Sequence, residues 1–284
     1  MASLSNAAAY VVAFGLQTLL VFAGNSRFFG LLKEGSGWRT NVEMSVLYTS
    51  FVTPANWAFA IWGLIYTWEL VAVCVLALSE LDLISSPVGG RPETILWCWV
   101  LMNACQATWS ILFARGQLLL SAFALGGIAA SLVALGFEAT VGSSWLGYLT
   151  VCCPVWLHAG WTTAAALVNV NLALVGRSAS APTQLAAAFA TCHGAFAAAL
   201  VVISSAGPGS LPYSAAVAWA LAAIHHKLSN PDATSTANNP TIAEVGEPAR
   251  VALEHTASLC STAVLFTIFC VLVWTGAFTY GAVR

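Results

Sequence analysis

The sequence predicts an all-α integral membrane protein, a bundle of about eight transmembrane helices. Composition is the first reason. The chain is 59% hydrophobic and 7% charged, against about 25% charged residues in a globular domain, so too few charges exist to cover a water-facing surface. Distribution is the second. The apolar residues gather into runs of about 20, the length that crosses a hydrocarbon core of about 30 Å. Backbone hydrogen bonds must close within the segment in lipid, so runs of this kind form helices rather than open strands.

The runs lie at about 7–24, 55–78, 95–114, 118–138, 148–175, 183–205, 212–228 and 257–280. The first reads as a mature helix and not a targeting peptide, because no basic residue precedes it; the first is Arg27. Between Asn25 and Thr53 a loop carries Trp38, Tyr48 and Phe51 among its charges, a pattern that anchors a segment at the membrane interface or roofs a cavity. Pro92 precedes the third run, and Pro182 opens the sixth. Gly207-Pro208-Gly209 separates the sixth from the seventh. The fifth run is long for an upright span, and Pro154 in its first part predicts a kink or tilt. Ser229–Arg250, rich in Asn, Thr, Ala and Glu, lacks core-forming residues and reads as a mobile loop.

Charge gives a topology and excludes some partners. Arg27, Lys33, Arg39, Arg115, Arg177, Lys227 and Arg250 fall on one side, and only Arg91 and Arg284 on the other. Basic loops stay on the cytoplasmic or equivalent side, which places both termini opposite. A net charge of −2 without a basic tract argues against nucleic acid as a partner. The eight cysteines sit in apolar runs without metal-ligand or disulfide spacing. No nucleophile elbow, phosphate loop or HExxH occurs, so neither a catalytic residue nor a metal site is assigned.

Three helices carry unusual stripes. On the second, Phe59, Trp62, Tyr66 and Glu69 recur at helical spacing and share a face. A carboxylate in the bilayer interior is costly and should turn into the bundle or a wet cavity. On the third, Gln106, Trp109 and Phe113 align, and on the fifth His158, Trp161, Ala165 and Asn169 do so. His193 could ligate a haem or chlorophyll metal, although an interhelical hydrogen bond is the simpler role. His225, His226 and Lys227 suit the negative end of a helix dipole.

These stripes resemble the translocator protein (TspO/MBR) family, in its longer tryptophan-rich sensory branch. Pro54-Ala55-Asn56-Trp57-Ala58-Phe59 followed by Trp62 and Tyr66 resembles the family's second-helix motif. Gln106-Ala-Thr-Trp109-Ser-Ile-Leu-Phe113 resembles the third-helix one, and Trp161, Ala165 and Asn169 keep the fifth-helix spacing. The chain departs from the short family members at Ala55, where a second proline is usual, at Gln106 for asparagine and at Ala164 for an aromatic. The resemblance implies a five-helix unit over 1–175, followed by a three-helix extension over 176–284 with its polar loop at 229–250. It also implies a cavity for flat apolar ligands, typically porphyrins or sterols, roofed by the first loop. Trp57, Trp62, Trp109, Trp161 and Ala165 would line it, with Asn56, Gln106 and Asn169 as polar fixing points. Tyr66 and Glu69 join them from the second-helix face. Expected partners are the bilayer, such a ligand, and a second copy or other membrane subunits. The leading expectation is binding, translocation or sensing of tetrapyrrole-like molecules. Two rivals are a scaffold subunit of a membrane complex, pigmented or not, and an enzyme degrading porphyrin in light.

Overall fold

The computed structural model describes residues 2–231 and 238–281, with helices along most of that length and no strand among those residues. α1 (Ala2–Asn25) leads to a loop that contains the short α2 (Asn41–Leu47). A 3-10 turn over Asn56–Ala60 opens α3 (Ile61–Glu80), and α4 (Pro92–Ala114) and α5 (Leu118–Thr140) follow. The single turn α6 (Trp145–Gly147) and a π-turn over Tyr148–Cys152 precede α7 (Cys153–Gly176). Then come α8 (Ala181–Ala206), α9 (Leu211–Ser229), the one-turn α10 (Thr241–Glu244) and α11 (Glu247–Gly281).

Among the described residues seven helical stretches are long and apolar enough to cross a membrane, and the longest of them, Ala181–Ser229, has 49 residues. At 1.5 Å per residue it would extend about 74 Å, more than twice the hydrocarbon thickness. It does not run straight. Gly207 takes φ +68°, a left-handed conformation that suits glycine, and Gly207–Ser210 form a 3-10 turn after which α9 packs back on α8. The stretch is therefore two spans, and the molecule is a multi-pass membrane bundle of eight long helices.

Proline explains a second irregularity. Pro154 cannot donate a hydrogen bond one turn back. Just before it the Cys153 amide reaches Tyr148 O, five residues away, so the helix widens into the π-turn instead of breaking.

Five helices close a ring in the order α1, α3, α7, α5, α4, with α4 packed back on α1. α8 and α9 pack on the outside of α7, and α11 packs on both of them. α7 is thus covered on both sides, and most of its residues are buried. Small residues allow the approach. A Cβ on Gly160 would lie 2.2 Å from Tyr213 O of α9, and one on Gly136 would lie 2.6 Å from the Trp156 ring. Polar groups fasten the same contacts: Asn171 donates to Thr191 on α8 at 2.7 Å, and Trp156 Nε1 donates to Thr140 on α5 at 3.0 Å.

The loops at the α1 C-terminal end are fixed rather than loose. Trp38 is buried, donates to Gly24 O at 2.9 Å, meets Phe28 edge-on and lies beneath the Arg115 guanidinium. Thr40 and Glu43 form a reciprocal capping box at α2, and Glu43 also pairs with Arg27. Bonding to the Thr40 amide, then to Arg27, holds the Glu43 carboxyl below the usual glutamate range. The polar stretch 229–250 is shorter than the sequence suggests. Its positions 232–237, like Arg284, lie outside the described residues. Beyond them Asn239 is buried and donates to Thr49 O and to Gln184 Oε1, at 3.0 and 2.9 Å, which joins this stretch to the first loop and to α8. From Glu247 the chain is already α11, supported by Glu247–Arg250–Glu254 pairing along one helix face.

Candidate ligand-binding site

The centre of the ring is filled by aromatic side chains from α3, α4 and α7. Trp62 is the hub. Its ring stacks within 23° on Tyr66 at 5.6 Å and on Trp109 at 6.2 Å, and meets His158 and Trp161 edge-on at 5.5 and 6.1 Å. Phe113 continues the stack from Trp109, and Phe59 meets Trp161. Phe22 of α1 closes against Tyr66. The helices place most of these rings as the stripes require: Trp62, Tyr66 and Glu69 turn inward from one side, and Gln106, Trp109 and Phe113 from another, whereas Phe59, on the 3-10 turn, is exposed and reaches the group only edge-on at Trp161.

A carboxylate lies within this aromatic group, midway along its span. Glu69 Oε1 is 2.7 Å from His158 Nδ1, and both residues are at most 1% exposed. Gln106 Nε2 donates to the Tyr66 hydroxyl at 3.3 Å. The remaining polar atoms are not paired. Among the described residues eight buried side-chain atoms lack a hydrogen-bond partner, and five belong here: Glu69 Oε2, His158 Nε2, Gln106 Oε1, Trp109 Nε1 and Trp161 Nε1. At about 1–3 kcal/mol for each orphaned group, five cost on the order of 5–15 kcal/mol. Leucine or phenylalanine would fill the same space without that cost, so packing alone does not account for these residues.

Not all of the sequence-predicted residues meet. Trp62, Tyr66, Glu69, Gln106, Trp109 and Trp161 do. Asn56 and Trp57 stand apart, because they lie on the 3-10 turn before α3 and face outward. Trp57 is 41% exposed and packs edge-on against Trp219 of α9 at 4.7 Å. Asn169 is buried but bonds to Ser121 and to Leu118 O, fastening α7 to α5. Ala165, half-buried, packs against the main core. His193 is exposed and bonds to Phe189 O of its own helix, away from the ring centre. His158 is the member that motif spacing passes over. Its signal is in the sequence, three residues before Trp161 on the α7 stripe, where the buried Glu69 needs a partner.

Two clefts open elsewhere. One, of about 590 Å³, lies among Arg27, Trp38, Arg39, Glu43 and Asn238 at the loop end; the other, about 450 Å³, is apolar and lies between α1 and α4. Neither brings a stack of rings together with unpaired polar atoms. The ring centre is the better site on chemical grounds, although its own side chains fill it.

A model of the TSPO-like protein family matches residues 7–246, most of the chain and all five ring helices. The chain belongs to the TSPO-like protein family. Membership carries a ligand-binding or sensing role in the membrane. The match continues through α8 and α9, so the outer helices are part of the family pattern. Searches among curated proteins and among solved structures returned no match.

Proposed function

We propose that the five-helix ring binds a flat, largely apolar ligand of the porphyrin or sterol kind at its centre, as a carrier or sensor. The observation that supports this is the aromatic stack with five unpaired buried polar atoms. Indole and phenol rings give large stacking area at low entropy cost, and a few polar groups fix orientation. Trp62 and Tyr66 are only half-buried, whereas Trp109 and Trp161 are 7% and 3% exposed. A ligand would therefore displace Trp62 and stack against the two buried indoles.

Titration of the purified full chain with protoporphyrin tests this reading. Tryptophan emission should fall saturably. Trp109→Ala or Trp161→Ala should each weaken binding by about 5- to 150-fold, the equivalent of about 1–3 kcal/mol for a desolvated aromatic anchor. Trp57→Ala and Trp274→Ala, outside the ring centre, should leave affinity nearly unchanged. Equal binding by all four variants would move the site away from the ring.

A further inference from the structure

A histidine stands on the outer face of the bundle, where a membrane protein rarely places one. His193 is exposed, midway along the 26 residues of α8. At 1.5 Å per residue it lies about 20 Å from either helix end, near the midplane of a hydrocarbon core about 30 Å thick. Ionisable side chains at that depth almost always turn into the bundle, so one that does not marks a candidate site. Its Nδ1 lies 2.8 Å from Phe189 O, one turn back. A carbonyl oxygen only accepts, so Nδ1 supplies the hydrogen whatever the charge on the ring. Among the described residues nothing bonds to Nε2. Histidines that ligate metals are held in the same way, with one nitrogen on a carbonyl or carboxylate and the other left to bond. Any proton on Nε2 leaves when a metal takes its place.

The surroundings decide which metal species fits. Among the described residues no group of three His, Cys, Asp or Glu side chains could hold an ion, so a bare cation finds one ligand here and no opposing charge. The species must bring its other ligands with it and be apolar enough to lie in lipid. A metal chelated in a tetrapyrrole macrocycle meets both conditions. Its plane stands across the metal–nitrogen bond and therefore lies over the residues that flank His193. On that face Ala190 and Ala197 are one turn away on either side, with Ala186 a turn beyond, and all three are exposed. Gly194 adds room beside the ring. Glycine inside a helix is destabilising relative to alanine, and packing does not call for it, because a Cβ there would meet Leu167 no closer than 3.7 Å.

We propose that His193 is the axial ligand of a metal tetrapyrrole lying on the outer face of α8. This site is separate from the ring centre and does not rest on the reading of that centre.

Zinc protoporphyrin, which takes an axial ligand, tests the proposal on the full chain in lipid nanodiscs, with metal-free protoporphyrin as the control. Titration should shift the Soret band of the zinc compound to the red, saturably, as a nitrogen joins the metal. His193→Leu should abolish that shift and leave the metal-free titration unchanged. The variant should fold, since His193 is exposed and bonds only to its own helix. Ala190→Phe keeps the ligand but crowds the face, and should raise the half-saturation concentration severalfold. A shift that survives His193→Leu would put the metal on another nitrogen, such as His158 Nε2 or a loop-end histidine, and overturn the assignment. So would the absence of any shift in the natural protein. A dimer that His193→Leu separates into monomers, with no shift in either protein, would overturn it in favour of a hydrogen bond between copies of the chain.

Discussion

At the residue scale, the molecule separates side chains that pack from side chains that pack at a cost. Gly160 belongs to the first kind. Any Cβ there meets the Tyr213 backbone 2.2 Å away, and backbone cannot give as a flexible side chain can. Gly160→Val should force α7 and α9 apart and lower stability by about 1–3 kcal/mol, read as a fall in thermal midpoint in detergent. Gly15→Ala, where nothing lies within 4 Å, is the matched control and should be near neutral. The ring-centre residues belong to the second kind, and their pattern was partly legible. Trp62, Tyr66, Glu69, Gln106 and Trp109 reveal themselves by helical spacing, since periodicity reports which side of one helix a residue shares. Trp57 does not, because the 3-10 turn sets it on a different helical phase and gives it Trp219 as neighbour. The partnership of Glu69 with His158 is also invisible to spacing. It joins two helices 89 residues apart, and only tertiary structure brings them together.

At the scale of elements, hydropathy finds the long helices and misses their ends and irregularities. Hydropathy discounts the first turns of α11 because Glu247, Arg250 and Glu254 are charged, yet those charges pair along the helix and support it. Pro154 marks an irregularity in the α7 span, but whether it yields a kink or a π-turn depends on packing around Tyr148–Cys152. The first loop offers the clearest test at this scale. Its order depends on the α2 capping box, so Thr40→Ala should cost about 1 kcal/mol of local stability. The same box makes the loop sensitive to acid. Glu43 has a lowered folded-state pKa, so its contribution is fully present above the ordinary glutamate value. It is lost as pH falls through the depressed value, when protonation breaks the bonds to the Thr40 amide and Arg27. A spin label on Ser36→Cys, with exposed Cys74 and Cys270 replaced by serine, should become more mobile on acidification over that window. Glu43→Gln should give the mobile spectrum at every pH. A label equally immobile in both proteins would show that Trp38 alone holds the loop.

At the scale of the whole molecule, the helix order along the chain gives only part of which helices touch. The ring order α1, α3, α7, α5, α4 keeps α5 between its chain neighbours α4 and α7 but separates the consecutive α3 and α4, setting α3 beside α7 and α4 beside α1. That order creates the central space. What the sequence does carry at this scale is charge asymmetry, and among the described residues the structure assigns the loop charges to one end or the other. Arg27, Lys33, Arg39, Arg115, Arg177 and Lys227 lie at or beyond helix termini on the end shared by the α1 and α4 C-termini, and Arg250 lies in the first turn of α11. The opposite end carries Glu80, Asp82, Glu93 and Glu138, with Arg91 bonded to Glu138. Because basic loops are retained during insertion, the α2 end is expected on the cytoplasmic-equivalent side and the α1 N-terminus opposite. A membrane-impermeant maleimide applied to sealed vesicles should label Ser36→Cys and Ser178→Cys from one side and Ser85→Cys only from the other. The native Cys74 and Cys270 are exposed within their spans, where lipid shields them from such a reagent. If Ser36→Cys and Ser85→Cys react from the same side, α3 does not cross the membrane. The ring could not then close with Glu69 at mid-depth. If all three sites keep their relative sides but react from the faces opposite to those expected, the bundle stands. In that case the acidic end, and not the basic one, is retained.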